Sequence, residues 1–76
     1  MILDVVVIKT DDGVTAEIPS LKHCECWAHD EETVLDKITE LAAFYLHADE
    51  KKLKLDKARK SDNQSIYKLV FDKSTL

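Results

Sequence analysis

Four side chains that could bind a metal or act as nucleophiles lie close together, in the stretch His23-Cys24-Glu25-Cys26-Trp27-Ala28-His29. Thiolate and imidazole groups are the usual ligands of structural zinc. The spacing argues against zinc, because successive residues of an extended strand point to opposite sides, so that Cys24 and Cys26 face away from His23. We therefore predict no metal site and interpret both cysteines as small apolar residues beneath a helix. For His29, a solvated loop position is the simplest interpretation.

Hydrolytic chemistry would need carboxylates or a nucleophile in a defined arrangement. Asp4, Glu17 and Glu25 lie on predicted strands, but a two-metal nuclease requires carboxylates that converge, which the sequence does not establish. A cysteine and histidine pair would also need a third group to orient the base, and none is identifiable. The sequence contains no glycine-rich phosphate loop. We predict a protein that is not an enzyme and that needs no cofactor.

The elements that position these residues follow from the hydropathy pattern. Alternation of apolar and polar residues predicts strands over 2–9, 14–18 and 23–28, with a hairpin turn at Asp11-Asp12-Gly13, where the glycine would supply a positive φ. A crossing loop would begin at Pro19, and the last predicted strand covers 66–71. Residues 48–60 fit either strand or helix. We expect one α+β domain over 1–76: an antiparallel sheet of three to five strands with one main helix on one face.

A helix is predicted to begin after Asp30, which is a good N-cap, with Glu31 and Glu32 favourable at the positive end of the helix dipole. Apolar residues at helical spacing then form a stripe that requires a sheet to cover it. The predicted stripe consists of Val34, Leu35, Ile38, Leu41, Ala42, Tyr45 and Leu46.

The order of hairpin, Pro-x-Leu-x-x-Cys loop, short strand, acidic cap and apolar helix resembles the HicB antitoxin family. The residues that carry the resemblance are Asp12, Gly13, Ala16, Pro19, Leu21, Cys24, Glu32, Leu35, Ile38, Leu41, Tyr45 and Leu46. It covers about the first two-thirds of the chain and implies a partial RNase H-like fold. It also implies a binding protein that neutralises a small basic RNA-cleaving toxin by occlusion. Typical members carry a further DNA-binding segment, which we do not expect here because only five residues follow Phe71.

The first strand predicts an interface. Leu3, Val5 and Val7 would face the helix, which leaves Val6, Ile8 and, from the third strand, Trp27 on the opposite side of the sheet. An exposed apolar patch of this kind usually marks an association surface. We expect it to form a homodimer or tetramer, or alternatively to bind another protein. A 76-residue chain has a small core, which also favours self-association.

Charge is divided unevenly along the chain. Residues 1–50 contain three lysines and twelve acidic residues, a net charge of −9, whereas residues 51–76 contain eight basic and three acidic residues, a net charge of +5. Lys51, Lys52, Lys54 and Lys57 are candidates for a basic contact surface, although lysines often only guard an edge strand against pairing. No aromatic residues are interleaved with them, so we do not expect nucleic acid to be the partner.

The opening residues predict the location of the protein. Met1-Ile2-Leu3-Asp4 has no basic leader, and the apolar run at 5–8 is too short to span a bilayer. Two cysteines only two positions apart on a strand are poorly placed for a disulfide. We therefore expect a cytoplasmic protein without membrane contact: a HicB-like antitoxin or, alternatively, a stand-alone homo-oligomeric domain that has lost a toxin partner, or a weak RNA-binding module.

Overall fold

The computed structural model describes residues 2–71, so Met1 and residues 72–76 of the predicted domain lie outside the described range. Its sheet has five antiparallel strands in the order β3-β2-β1-β5-β4, which confirms the predicted α+β class. The elements in chain order are β1 Ile2–Thr10, β2 Gly13–Glu17, β3 Glu25–Ala28, α1 Glu31–Leu46, a 3₁₀ turn Glu50–Lys52, β4 Leu53–Lys60 and β5 Gln64–Phe71.

One face of the sheet is covered by α1, which lies nearest to β2 and β3. Alternate residues of each strand point into this core, as the hydropathy pattern predicts. From the strands and the residues next to them it contains Leu3, Val5, Val7, Val14, Ala16, Ile18, Cys24, Ala28, Leu53, Tyr67 and Leu69, all buried. We call the opposite side of the sheet the open face; it carries Val6, Ile8, Thr15, Glu17, Glu25, Trp27, Arg59, Ile66 and Lys68.

The hairpin between β1 and β2 lies where predicted, but Gly13 does not supply a positive φ. Asp11 and Asp12 form the turn, and Gly13 already pairs with Thr10 as the first residue of β2. Close approach explains the glycine instead. A Cβ atom at Gly13 would lie 2.6 Å from the carbonyl oxygen of Ala28 and 2.7 Å from the Trp27 ring, which is closer than carbon atoms approach without displacement.

The segment after β2 is a hairpin loop rather than a crossing loop, because β2 and β3 are antiparallel neighbours. The predicted third strand is also shorter than expected. His23 lies in a turn with φ of 64°, so β3 begins only at Glu25. The Tyr45 hydroxyl donates a hydrogen bond to the carbonyl of Lys22, which fastens this loop to the last turn of α1.

Helix α1 begins as predicted, with the Asp30 carboxylate accepting a hydrogen bond of 2.8 Å from the backbone N–H of Thr33. It ends at His47, whose left-handed backbone (φ 53°) directs its N–H to the carbonyls of Ala43 and Phe44. The predicted stripe is correct for Val34, Leu35, Ile38, Ala42 and Leu46. It is wrong for Leu41 and Tyr45, which are exposed, and it omits Ala43, which is buried.

Residues 53–60 form a strand and not a helical extension, which resolves the alternative that the sequence leaves open. β4 and β5 form a hairpin that returns to the sheet, with β5 pairing directly with β1. A bulge interrupts β4 between Lys57 and Arg59. Among residues 2–71, no helix combines the length and the apolar character needed to cross a membrane.

Candidate functional site: two exposed surfaces

The structure brings Val6, Ile8 and Trp27 together on the open face. They line one shallow hollow of about 420 Å³, and Trp27 lies directly across from Thr15, which in turn lies across from Ile8. Ile8 is 38% exposed and Trp27 is 43% exposed. A large aromatic side chain half-exposed beside aliphatic neighbours is the composition of an interface centre rather than of ordinary surface.

The Trp27 ring is held in place by contacts within its own chain. One side lies against the Cα of Gly13, and the His29 ring meets it edge to face with centroids 4.7 Å apart. An anchor that is already ordered loses little rotamer freedom on binding.

One row of the open face is divided by charge, whereas the adjoining row, Asp4, Lys68 and Asp56, alternates in sign. One continuous cross-strand row runs Glu25, Glu17, Val6, Ile66, Arg59, in the spatial order of the strands. Carboxylates therefore occupy the β3 end of the row and a guanidinium occupies the β4 end, with apolar residues between them. Sequence reasoning missed this row, because its order depends on strand pairing and on the bulge that brings Arg59 opposite Ile66.

A second surface, which we call the α1 surface, lies on the outer side of the helix. Glu32, Asp36, Glu40 and Phe44 follow one another at four-residue spacing and so share one helical row. Phe44 is 80% exposed, and it borders a hollow of about 450 Å³ together with Cys26, Lys37, Glu40 and Leu41. Within residues 2–71, none of the three carboxylates is paired with a cation. The four-residue spacing of these side chains is visible in the sequence, but the predicted apolar stripe includes Leu41, which the structure exposes.

The structure disperses the cysteine and histidine cluster. Cys24 is buried in the core, and Cys26 donates its S–H to the carbonyl of Val34 over 3.6 Å. Burial raises the pKa of both thiols, although nearby Lys37 partly offsets this for Cys26. Both thiols are consequently poor nucleophiles at neutral pH. His23 and His29 are exposed at opposite ends of β3.

The carboxylates considered for hydrolysis all lie on the open face. Glu17 and Glu25 are direct cross-strand neighbours, whereas Asp4 forms an ion pair with Lys68. Across the described part of the chain, no three histidine, cysteine or acidic residues are grouped in a way that would hold a metal ion.

The basic residues do not form one surface. Lys51 and Lys52 lie in the 3₁₀ turn, Lys54 lies on the open-face side of β4, and Lys57 lies on the other side, with its ammonium 5.8 Å from the centre of the Tyr67 ring. The predicted contact surface is therefore divided between two sides of an edge strand, which is the arrangement expected of lysines that guard an edge.

Comparison of the chain with protein-family models, with curated proteins and with solved structures finds no match.

Proposed function

We propose that this protein is a HicB-like antitoxin-type binding module, which neutralises a small basic RNA-cleaving protein by covering it. The observation that carries the proposal is the α1 surface, where an exposed Phe44 stands at the end of a row of unpaired carboxylates. Neutralisation by occlusion requires complementary surfaces and no chemistry at all. The proposed protein is accordingly not an enzyme, and it needs neither a metal nor a cofactor.

The α1 surface supports a basic partner on two physical grounds. Carboxylates that have no cation of their own attract a basic protein over distance and raise its rate of association. An aromatic side chain beside an apolar hollow then supplies the short-range anchor, since aromatic residues dominate the energy of most interfaces. The net charge of −9 over residues 1–50 extends the same attraction over most of the chain.

The proposed location is the reducing cytoplasm, where antitoxin and toxin would meet. The free thiols of Cys24 and Cys26 are in keeping with such a compartment. We do not extend the proposal to nucleic acid, because Lys54 and Lys57 lie on opposite sides of β4.

The test requires a reading frame next to the gene for this chain that encodes a small basic protein, and it uses that protein. We expect the two proteins to form a complex, and we expect coexpression to restore growth that the basic protein alone inhibits. Phe44→Ala should weaken the complex by about 30-fold, the effect of losing a ~2 kcal/mol anchor. Glu40→Lys should weaken it and reduce its dependence on salt.

Thr39→Ser is the matched control, because it changes α1 without touching the α1 surface residues. If Phe44→Ala and Glu40→Lys bind the basic protein as tightly as the unmodified chain does, the α1 surface is not the site. If no adjacent reading frame encodes a basic protein, the second candidate is preferred. That candidate is a stand-alone homo-oligomeric domain, which the apolar centre of the open face favours.

A further inference from the structure

We propose that a second copy of this chain covers the open face, related to the first by a two-fold axis that runs parallel to the strands and passes over β1. This inference goes beyond the proposed function, because it concerns the opposite side of the molecule from the α1 surface. It assigns the hollow around Val6, Ile8 and Trp27 to a symmetric homodimer.

Strand order is the first support. With the order β3-β2-β1-β5-β4, β1 is the middle strand and two strands flank it on each side. A two-fold axis parallel to the strands, placed between two such faces, exchanges their left and right sides. It therefore sets β3 over β4 of the second copy, β2 over β5, and β1 over β1.

The charged row is the second support. Under this symmetry Glu25 lies over Arg59 of the second copy, and Arg59 lies over Glu25, so that the same ion pair forms twice. Val6, at the centre of the row, meets its own equivalent. Such a surface is complementary to itself, which is what a symmetric dimer interface requires.

The rival orientation fails on the same row. A two-fold axis perpendicular to the strands would leave left and right unchanged and set β3 over β3. With the axis along this row, Glu25 would then face Glu25, and Arg59 would face Arg59. Juxtaposed like charges oppose association, so this row disfavours the rival arrangement; in the proposed one Asp4 also lies over its own equivalent, but it is neutralised by Lys68 of its own chain.

An unfavourable pair within the single chain is the third support. Glu17 and Glu25 are directly opposite each other on neighbouring strands, and like charges in this position destabilise a sheet. Departures from good local design usually have a functional reason. In the dimer the guanidinium of the second copy approaches this pair and offsets its repulsion.

The size of the face is sufficient for a dimer of modest affinity. Strands about 4.8 Å apart and about 20 Å long give an area on the order of 500 Å² per copy, or about 1,000 Å² buried in total, which reaches the lower range of specific interfaces. Ile66 and Val70 extend its apolar part beyond Val6 and Ile8.

The experiment measures molar mass by light scattering over a range of protein concentrations. We expect the unmodified chain to form a dimer at high concentration and to dissociate on dilution. Glu25→Lys alone and Arg59→Glu alone should each be monomeric, because each replaces two attractive pairs by two repulsive ones. An equimolar mixture of the two variants should form a heterodimer, in which both pairs are attractive again.

Two charge reversals away from the open face serve as controls. In Lys60→Glu the changed residue is next to Arg59 in sequence, but Lys60 lies opposite Ser65, on the other side of β4. In Glu40→Lys the changed residue lies on α1. Both should leave the dimer intact. Circular dichroism establishes that every variant is folded, and Trp27→Ala should weaken the dimer by about tenfold or more while the helix signal persists.

Three results would overturn the proposal. They are a chain that stays monomeric at all concentrations, a Glu25→Lys variant that dimerises as well as the unmodified chain, and a mixture of the two variants that remains monomeric. Should either reversal unfold the chain, the milder pair Glu25→Gln and Arg59→Gln is used, and each variant should raise the dimer dissociation constant. No change in that constant would equally reject the arrangement.

Discussion

Tyr67 of β5 donates a hydrogen bond of 2.9 Å from its hydroxyl to Oε2 of Glu31, the first residue of α1. The two residues are 36 positions apart, so this bond ties the last described strand to the start of the helix. Burial, followed by the hydrogen bond to Glu31, raises the pKa of Tyr67 to about 12. The contact stabilises the neutral phenol in the folded state.

Replacement of Tyr67 by phenylalanine should lower the free energy of unfolding by about 1–3 kcal/mol, because it removes the donor from a partly buried carboxylate. Oε1 of Glu31 is already buried with no hydrogen-bond partner within residues 2–71. Urea denaturation measures the loss. A change below about 0.3 kcal/mol would mean that water replaces the phenol without cost.

The same contact predicts a loss of stability at high pH. The folded pKa of Tyr67 is raised from 10.0 to about 12, so its contribution is fully present below pH 10.0 and disappears as the pH rises from there to about 12. The difference in stability between the unmodified chain and Tyr67→Phe should shrink over that interval. Tyrosinate absorbance of Glu31→Gln, which lacks the charge, should show Tyr67 ionising at lower pH.

Gly13→Ala should destabilise the fold by about 1–3 kcal/mol through overpacking. The new methyl group would meet the Ala28 carbonyl and the Trp27 ring, so one of them must shift. Trp27→Ala should relieve part of this cost and leave the part due to the carbonyl. Thermal or urea unfolding of both single variants and of the double variant measures the coupling, and strictly additive effects would contradict the close approach.

Ile38→Ala should lower the free energy of unfolding by about 2–5 kcal/mol, because the side chain is fully buried between α1 and the sheet. Leu41→Ala, three residues along the same helix, is the matched control. Leu41 is 36% exposed, and its loss should cost less than about 1 kcal/mol. Similar losses for the two variants in chemical denaturation would show that the buried side of the helix has been misidentified.

Asp30 should make the start of α1 sensitive to acid. Hydrogen bonding from Thr33 holds the pKa of this carboxyl below its usual value. Its stabilising effect is therefore present above the ordinary pKa and is lost as the pH falls through the lowered one. Asp30→Asn keeps a cap that does not titrate, so its stability should fall less on acidification, whereas Asp30→Ala should be less stable at neutral pH as well. Stability of the three proteins against pH is the measurement.

The class of fold was predictable because β1, α1 and β5 have strong and uniform hydropathy patterns. The errors occurred where contacts between distant segments decide the outcome. Gly13 is required by its close approach to the Ala28 carbonyl and the Trp27 ring and not by its own backbone, and His23 adopts a left-handed backbone conformation that is uncommon for residues other than glycine. The local conformational propensities of these residues predict neither feature.

The candidate surfaces were predictable only in part. Alternation along β1 was enough to place Val6 and Ile8 on the side away from the helix, and Trp27 followed from the third strand. The row from Glu25 to Arg59 was not accessible, because it requires the strand order and a one-residue bulge in β4. The predicted apolar stripe includes Leu41 because its apolar residues cover a wider part of the helix surface than the part that the sheet buries.

Both outer strands, β3 and β4, are poorly suited to pairing with a further strand at the edge of the sheet. On β3, the ammonium group of Lys37 donates a 3.3 Å hydrogen bond to the carbonyl of Trp27, and the strand is only four residues long. On β4, the bulge after Lys57 breaks the regular ladder that an incoming strand would need. Fibril-like stacking through backbone hydrogen bonds is thereby disfavoured. A chain with a half-exposed tryptophan should therefore stay in solution at high concentration and not form aggregates.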